Sequence, residues 1–230
     1  VVKQAKELAE KGVKEIVLTG INLGDFGKGG DGGKHHEENF FELIEAVENN
    51  TAIERVRISS IEPNLLTMEM IEFISKSKKF MPHFHMPLQS GSNKTLANMR
   101  RRYKREIYAE RLEYIKKLMP HACIGADVIV GFPGETEVDF KETAEFISSL
   151  DISYLHVFTY SERENTQALE IHPVVPVNIR NERNKLLRNI SFLKMQQFTL
   201  QPRLFPAAIA SVVWCLHYGC CQRCAGVVAG

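Results

Sequence analysis

The sequence predicts an α/β fold, a parallel sheet with helices outside it, closed fully or partly into a β/α barrel. Three observations carry that prediction. Strand and helix periodicities alternate along most of the 230 residues. Candidate ligand groups recur at the C-terminal ends of successive strands, the end where barrel sites lie. One strand, running into Asp127-Val-Ile-Val-Gly-Phe-Pro-Gly-Glu-Thr136, holds a carboxylate inside an apolar run. A doubly wound sheet is the alternative that the same alternation allows.

Taken in order, a helical pattern over 2–11 leads to a strand at Glu15–Thr19, then a glycine-rich insert from Gly24 to Gly33. A helix at Phe40–Glu48 precedes a strand at Arg55–Ser60. A helix at Met68–Ser75 precedes a short strand at His83–Leu88. The long helix Arg105–Leu118 runs into the strand that carries Asp127. Helix Glu137–Ser148, strand Tyr154–Tyr160 and helix Ile179–Gln197 complete the series. Because the order begins with a helix, at least one strand is expected to be missing upstream. The strand Glu15–Thr19 would then form an open, aggregation-prone sheet edge.

The Asp127 strand can be read residue by residue. With a period of two, Gly125, Asp127, Ile129 and Gly131 share one face, and Ala126, Val128 and Val130 share the other. A carboxylate flanked by glycines on one face implies a lined cavity with room beside the acid. The strand stops at Pro133-Gly134, and Thr136-Glu-Val-Asp139 reads as a capping box that opens the next helix.

Bulk properties narrow the class. Hydrophobic and charged fractions of 44% and 25% are those of an ordinary globular protein, and 230 residues suffice for a sizeable core. The net charge of +1 provides no global basic field, so any RNA contact must be local or made elsewhere. No apolar run reaches the roughly 18 residues of a membrane span. The chain starts without an initiator Met or a signal peptide, so a missing N-terminus and a cytoplasmic setting are expected, with no membrane partner. Residues 1–198 are read as the barrel core. Residues 199–230 differ from it: Thr199–Gly230 contains no Asp or Glu, yet holds four of the five cysteines and the only Trp. That tail is read as poorly ordered or frame-shifted.

At the strand ends stand Thr19-Gly-Ile-Asn22, Ser59-Ser-Ile-Glu62, Gln89-Ser-Gly-Ser92, Asp127 with Gly131–Glu135, and Thr159-Tyr-Ser-Glu162-Arg163. Each alone is ordinary turn chemistry. Five at one rim suit a polar ligand with hydroxyl, amino and carboxylate groups. In the basic run Arg100-Arg-Arg-Tyr-Lys-Arg105, one Arg is expected to turn inward onto a carboxylate while the others face solvent or phosphate. His83 and His85 share a strand face, but no third ligand stands at usable spacing, so they are read as core or rim histidines. His35-His36 is read as a solvated loop pair. Cys220, Cys221 and Cys224 look like metal ligands, but no strand or turn framework supports them, and they are read as decoys.

Six stretches in order resemble one family: Leu18-Thr-Gly-Ile-Asn-Leu-Gly24, Arg57-Ile-Ser-Ser-Ile-Glu-Pro63, His85-Met-Pro-Leu-Gln-Ser-Gly-Ser92, Met99-Arg-Arg-Arg-Tyr103, the Asp127–Thr136 run, and Phe158-Thr-Tyr-Ser-Glu-Arg163. Together they are similar to the radical S-adenosylmethionine tRNA methylthiotransferases, over about residues 1–198. The form of the first stretch resembles the branch that acts on threonylcarbamoyladenosine. The resemblance implies a partial, six-stranded (β/α) barrel, here lacking its first strand. It implies S-adenosylmethionine as cofactor, cleaved reductively on a 4Fe–4S cluster, with methylthiolation at C2 of the modified adenosine at position 37, in the tRNA anticodon loop. An unpaired loop base can enter such a site without opening a duplex.

By matched position, the resemblance implies that Glu62 and Gln89 contact the cofactor, with Gln89 and Asp127 taking ribose hydroxyls. Arg101 would pair with the methionyl carboxylate, Ile129 would pack on adenine, and Thr19-Gly20 would lie near the methionyl amine. The three-cysteine cluster motif, Cys-x-x-x-Cys-x-x-Cys, should follow the first strand, and it would lie upstream of Val1. This chain is therefore expected to hold no cluster and to be inactive alone. The sulfur and electron donors are not specified by any residue here. Two other readings stand beside this one. The first is a barrel enzyme of another class, without metal, using Asp127 or Glu62 as general base. The second is a non-enzymatic module binding zinc or a partner through the Cys-rich tail.

Overall fold

A computed structural model describes residues 1–27 and 38–200, together with the backbone of a strand at 225–228. The first helix, α1 (Val2–Glu10), leads to β1 (Glu15–Thr19). β2 (Arg55–Ile58) lies parallel to β1, with Ile16 opposite Val56 and Leu18 opposite Ile58. Ile16, Leu18 and Val56 are completely buried, the alternation expected of strands packed on one face. Parallel neighbours require a crossover, and α2 (Phe40–Asn50) supplies it. Its start is fixed by reciprocal capping between Asn39 and Glu42.

After α3 (Met68–Lys76) the chain enters β3 (His83–His85). A short helix absent from the sequence reading, α4 (Asn93–Asn98), precedes α5 (Arg105–Leu118). Tyr108, Leu112 and Ile115 form the buried stripe of α5, at the spacing of one helix face. β4 (Cys123–Val130), α6 (Glu137–Ser149), β5 (Tyr154–Thr159) and α7 (Val177–Leu200) follow. The capping box read at Thr136–Asp139 opens α6.

β3, β4 and β5 form a parallel sheet in that order. It joins the first sheet through the segment that leads into β3. Val56 donates to the Lys79 carbonyl at 2.8 Å, and Met81 donates back to Val56 at 2.9 Å, making a parallel bridge between Val56 and Phe80. The strands therefore follow one another from β1 to β5 in an arc, a fragment of a β/α barrel as the sequence predicted. Most buried apolar side chains, from Ala5 to Leu187, belong to one contiguous core. Among the described residues no helix is long and apolar enough to cross a membrane.

Two features depart from the sequence reading. The ladder of β3 ends at His85, short of Leu88, because Pro87 has no N–H and the chain bulges beyond it. Leu88 and Gln89 both donate to the Asp127 carbonyl, at 3.1 and 2.7 Å, and Gln89 takes a left-handed φ of 66°. Two residues thus oppose one, as in a β-bulge. The second departure is at the other edge. Ala225–Val228 forms β6, parallel to β1 on the side away from β2, with Ile16 opposite Ala225 and Thr19 opposite Val228. The edge expected to be open is covered by the chain's own C-terminal segment. An unpaired row of N–H and C=O groups accepts any strand of matching direction, and a four-residue strand has too little pattern to be read from sequence.

Candidate functional site

A cavity of about 550 Å³ opens at the C-terminal ends of β3, β4 and β5. Gln89, Arg101, Asp127 and Ile129 line it, together with the aromatic residues Phe158 and Tyr160. Strand register explains the grouping. Asp127 lies opposite His156 and Ile129 opposite Phe158 across β4 and β5, so one face of the sheet presents a polar row and then an apolar one.

The bulge after β3 re-aims Gln89. Its side chain is 7% exposed, and its Oε1 is buried with no hydrogen-bond partner among the described residues. A buried acceptor left unpaired costs about 1–3 kcal/mol unless a ligand satisfies it. Arg101 repeats the pattern, with Nε buried and unpartnered. Its Nη1 reaches Glu62 Oε1 at 3.3 Å, which brings Glu62 to the same site. Two residues on, Tyr103 is buried and donates to the Pro87 carbonyl at 2.7 Å, tying this segment to the end of β3. Of the basic run, Arg101 faces the cavity, while Arg100, Arg102 and Lys104 are exposed. Thr19 and Gly20 lie half-buried at the end of β1 and are not among the lining residues.

Asp127 is held from two sides. His85 Nε2 lies 3.0 Å and His156 Nδ1 3.3 Å from the same oxygen, Oδ1. Burial works against the charge, but the hydrogen bonds from His156 and His85 outweigh it and hold the carboxyl well below the usual carboxylate range. His85 Nδ1 faces Tyr154 Oη at 3.4 Å, and His83 Nε2 lies 3.1 Å from that hydroxyl. Tyr154 occupies this place because residue 125 is glycine; a Cβ there would run into its ring. No third group stands at usable sequence spacing from His83 and His85. The partners of His85 lie across the sheet instead, on β4 and β5. A period of two along β5 puts His156 on the face of Phe158, the one local signal that could have pointed to it.

In the turn after β4 several backbone donors are already engaged. Glu135 accepts from the Gly131 N–H at 3.0 Å and is paired with buried Arg183, and the Thr136 N–H goes to Asp139 at 2.9 Å. Besides Gln89, Arg101 and Asp127, the polar residues Thr159, Ser161, Arg163 and Thr166 also line the cavity. Cys123, the one cysteine among the described residues, is buried, and burial pushes its thiol up to about 11. Cys215, Cys220, Cys221 and Cys224, like His35 and His36, lie outside the described residues.

Sequential parallel strands with helical crossovers and a polar cavity at the C-terminal rim define a ligand-binding protein of the β/α-barrel class. Residues 1–147 match the Radical SAM superfamily, and the chain belongs to it. It is 45% identical over 184 residues to the threonylcarbamoyladenosine tRNA methylthiotransferase MtaB of Bacillus subtilis strain 168, across 80% of this chain and 40% of that protein. It is 38% identical over 187 residues to a tRNA-2-methylthio-N(6)-dimethylallyladenosine synthase of Pelotomaculum thermopropionicum, across 81% of this chain and 41% of that protein. Among solved structures, an archaeal Elp3 of Methanocaldococcus infernus aligns with a TM-score of 0.46 at 14% identity, covering 97% of this chain and 59% of that one. The chain spans less than half the length of the curated relatives it matches.

The family's cofactors are S-adenosylmethionine and a 4Fe–4S cluster. The cavity fits the first. The unpaired Gln89 Oε1 can accept from a ribose hydroxyl, the Asp127 carboxylate can accept from another, and Arg101 beside Glu62 matches a zwitterionic amino-acid end. The described residues do not assemble thiolates for the second, since Cys123 stands alone in the core.

Proposed function

We propose that this chain is the barrel core of a tRNA methylthiotransferase that acts at C2 of N6-threonylcarbamoyladenosine at position 37, in the anticodon loop. The observation that carries this reading is the 45% identity to a methylthiotransferase of that name over 184 residues. A second relative of the same name is 42% identical and a third 38%, beside dimethylallyladenosine synthases at 38% and 40%; the two highest of these identities, 45% and 42%, support the threonylcarbamoyl branch. In this reading residues 1–198 are the core and 199–230 an appended segment that lends β6 to the sheet. The setting is cytoplasmic, where tRNA is found.

S-adenosylmethionine, bound with the family's cluster, supplies hydrogen abstraction and the methyl group. Everything else falls to the chain's residues. Arg101 would hold the methionyl carboxylate, and Glu62, paired with Arg101, would take the amine. Gln89 and Asp127 orient the ribose, and Ile129 packs on the adenine. Phe158 and Tyr160 offer aromatic faces on which an unpaired base can stack, an arrangement worth about 1–3 kcal/mol per base. The described residues themselves supply no set of thiolates for the cluster.

Two experiments test this. Equilibrium dialysis of the 230-residue chain with labelled S-adenosylmethionine should show binding that Asp127→Asn and Gln89→Ala each weaken about tenfold, the loss of roughly one charge-assisted or buried hydrogen bond. Unchanged binding in both variants would sink the residue roles. Deleting the gene and analysing tRNA nucleosides by mass spectrometry should remove the 2-methylthio group from threonylcarbamoyladenosine. If the mark persists there and vanishes from dimethylallyladenosine, the other branch is the correct one.

A further inference from the structure

The cluster of His85, Asp127 and His156 is not used in full by the reading above. It comprises one ligating group on each of three adjacent parallel strands, all turned to the same face. Asp127 lies directly opposite His156, and His85 lies opposite Gly125, one step of the pleat away. Their ligating atoms all lie within 4.8 Å of one another. Around one ion with bonds of about 2.0–2.2 Å, neighbouring ligand atoms stand roughly 3.0–3.5 Å apart. The separations from Asp127 Oδ1, 3.0 Å to His85 and 3.3 Å to His156, are of that size.

We infer that His85, Asp127 and His156 form a site for one divalent first-row transition-metal ion, held by two imidazoles and a carboxylate, with Asp127 standing at the edge of the cavity. Two imidazoles with one carboxylate suit zinc, iron(II) or cobalt(II) better than magnesium or calcium, which prefer all-oxygen shells. The surroundings are those of a ligating histidine. With Nε2 turned to the ion, His85 presents Nδ1–H to Tyr154 Oη at 3.4 Å, a contact that fixes the tautomer and the ring plane. Gly125 makes room for Tyr154 to stand there. Asp127 also lines the cavity, in which Gln89 Oε1 is buried without a partner among the described residues. As a purely hydrogen-bonded cluster, the arrangement needs both imidazoles to donate to one oxygen. A metal uses all three ligating atoms at once.

The inference does not depend on S-adenosylmethionine. Both histidines meet Oδ1, so Oδ2 remains for a ribose hydroxyl, and the site can be probed without cofactor. The probe is cobalt(II) alone, added to metal-free chain in which Cys215, Cys220, Cys221 and Cys224 are changed to Ser to remove competing thiolates. One equivalent should bind with visible d–d absorption and no thiolate charge-transfer band. His156→Ala, at a side chain 41% exposed, and Asp127→Asn, which keeps its shape, should each weaken binding at least about tenfold, with circular dichroism unchanged. His121→Ala should bind as the parent does. Absence of stoichiometric cobalt binding in the parent, or binding that neither His156→Ala nor Asp127→Asn weakens, would overturn the inference.

Discussion

His83 shows how one buried ring can set a pH limit. It lies against Tyr154, its ring stacked on the phenol at 6.4 Å between centroids. Burial first, then the positive charge of nearby Arg57, pushes its pKa from 6.5 down to about 4. The unfolded chain therefore takes up a proton near pH 6.5, and the folded chain only near 4. Protons favour the unfolded state in between, so this contribution is complete above about pH 6.5 and is lost as pH falls toward 4. Urea midpoints should drop over that window by the equivalent of roughly 1–3 kcal/mol, and His83→Gln should flatten it. An unaltered profile in the variant would assign the loss to other groups. The ion pair of Arg183 with Glu135, both nearly inaccessible, is the second sensitive point. Arg183→Ala leaves a buried carboxylate without its partner and should cost about 3–5 kcal/mol in thermal or urea unfolding.

At the scale of elements, the ends of β3 and β4 shape the site more than the strands themselves do. The bulge at Gln89 turns one side chain into the cavity. The turn at Gly131, with φ 76°, lets Arg180 lie across the end of β4, where it donates to the carbonyls of Val175 and Tyr160 at 2.7 and 2.9 Å. Gly131→Ala would incur a left-handed backbone penalty and run its Cβ into the Arg180 side chain. It should destabilise by roughly 2–4 kcal/mol, read from chemical denaturation. A near-neutral result would mean that α7 shifts easily on the sheet. Local pattern made this turn legible: Gly131, Pro133 and Gly134 punctuate an apolar run, and Thr136 with Asp139 announces α6. The bulge was not legible, because Ser90, Gly91 and Ser92 are as common in plain loops as in bulges.

For the molecule as a whole, the decisive pairing is that of β6 with β1. Without β6 the arc of strands would end on an unpaired row of backbone groups. The full chain should therefore run as a single species on gel filtration, and a chain stopped at Leu200 should associate as concentration rises. Equal behaviour of the two forms would show that β6 does not protect this edge in solution. The barrel arc also brings together groups far apart in sequence: Glu62 with Arg101, and His85 with Asp127 and His156.

The sequence by itself determined the alternation of strands and helices, the inward face of Asp127 and Ile129, the start of α6, and the rim on which the polar groups gather. All of these are written in spacings of two to four residues, which the backbone geometry of a strand or helix converts directly into a face. The tertiary structure alone decided that His85 and His156 share one oxygen of Asp127, that Glu62 meets Arg101, that Gln89 is turned inward with an unpaired acceptor, and that a C-terminal strand closes the edge of β1. These depend on strand neighbours and register, which are set by packing between segments distant in the chain, and no local spacing records them.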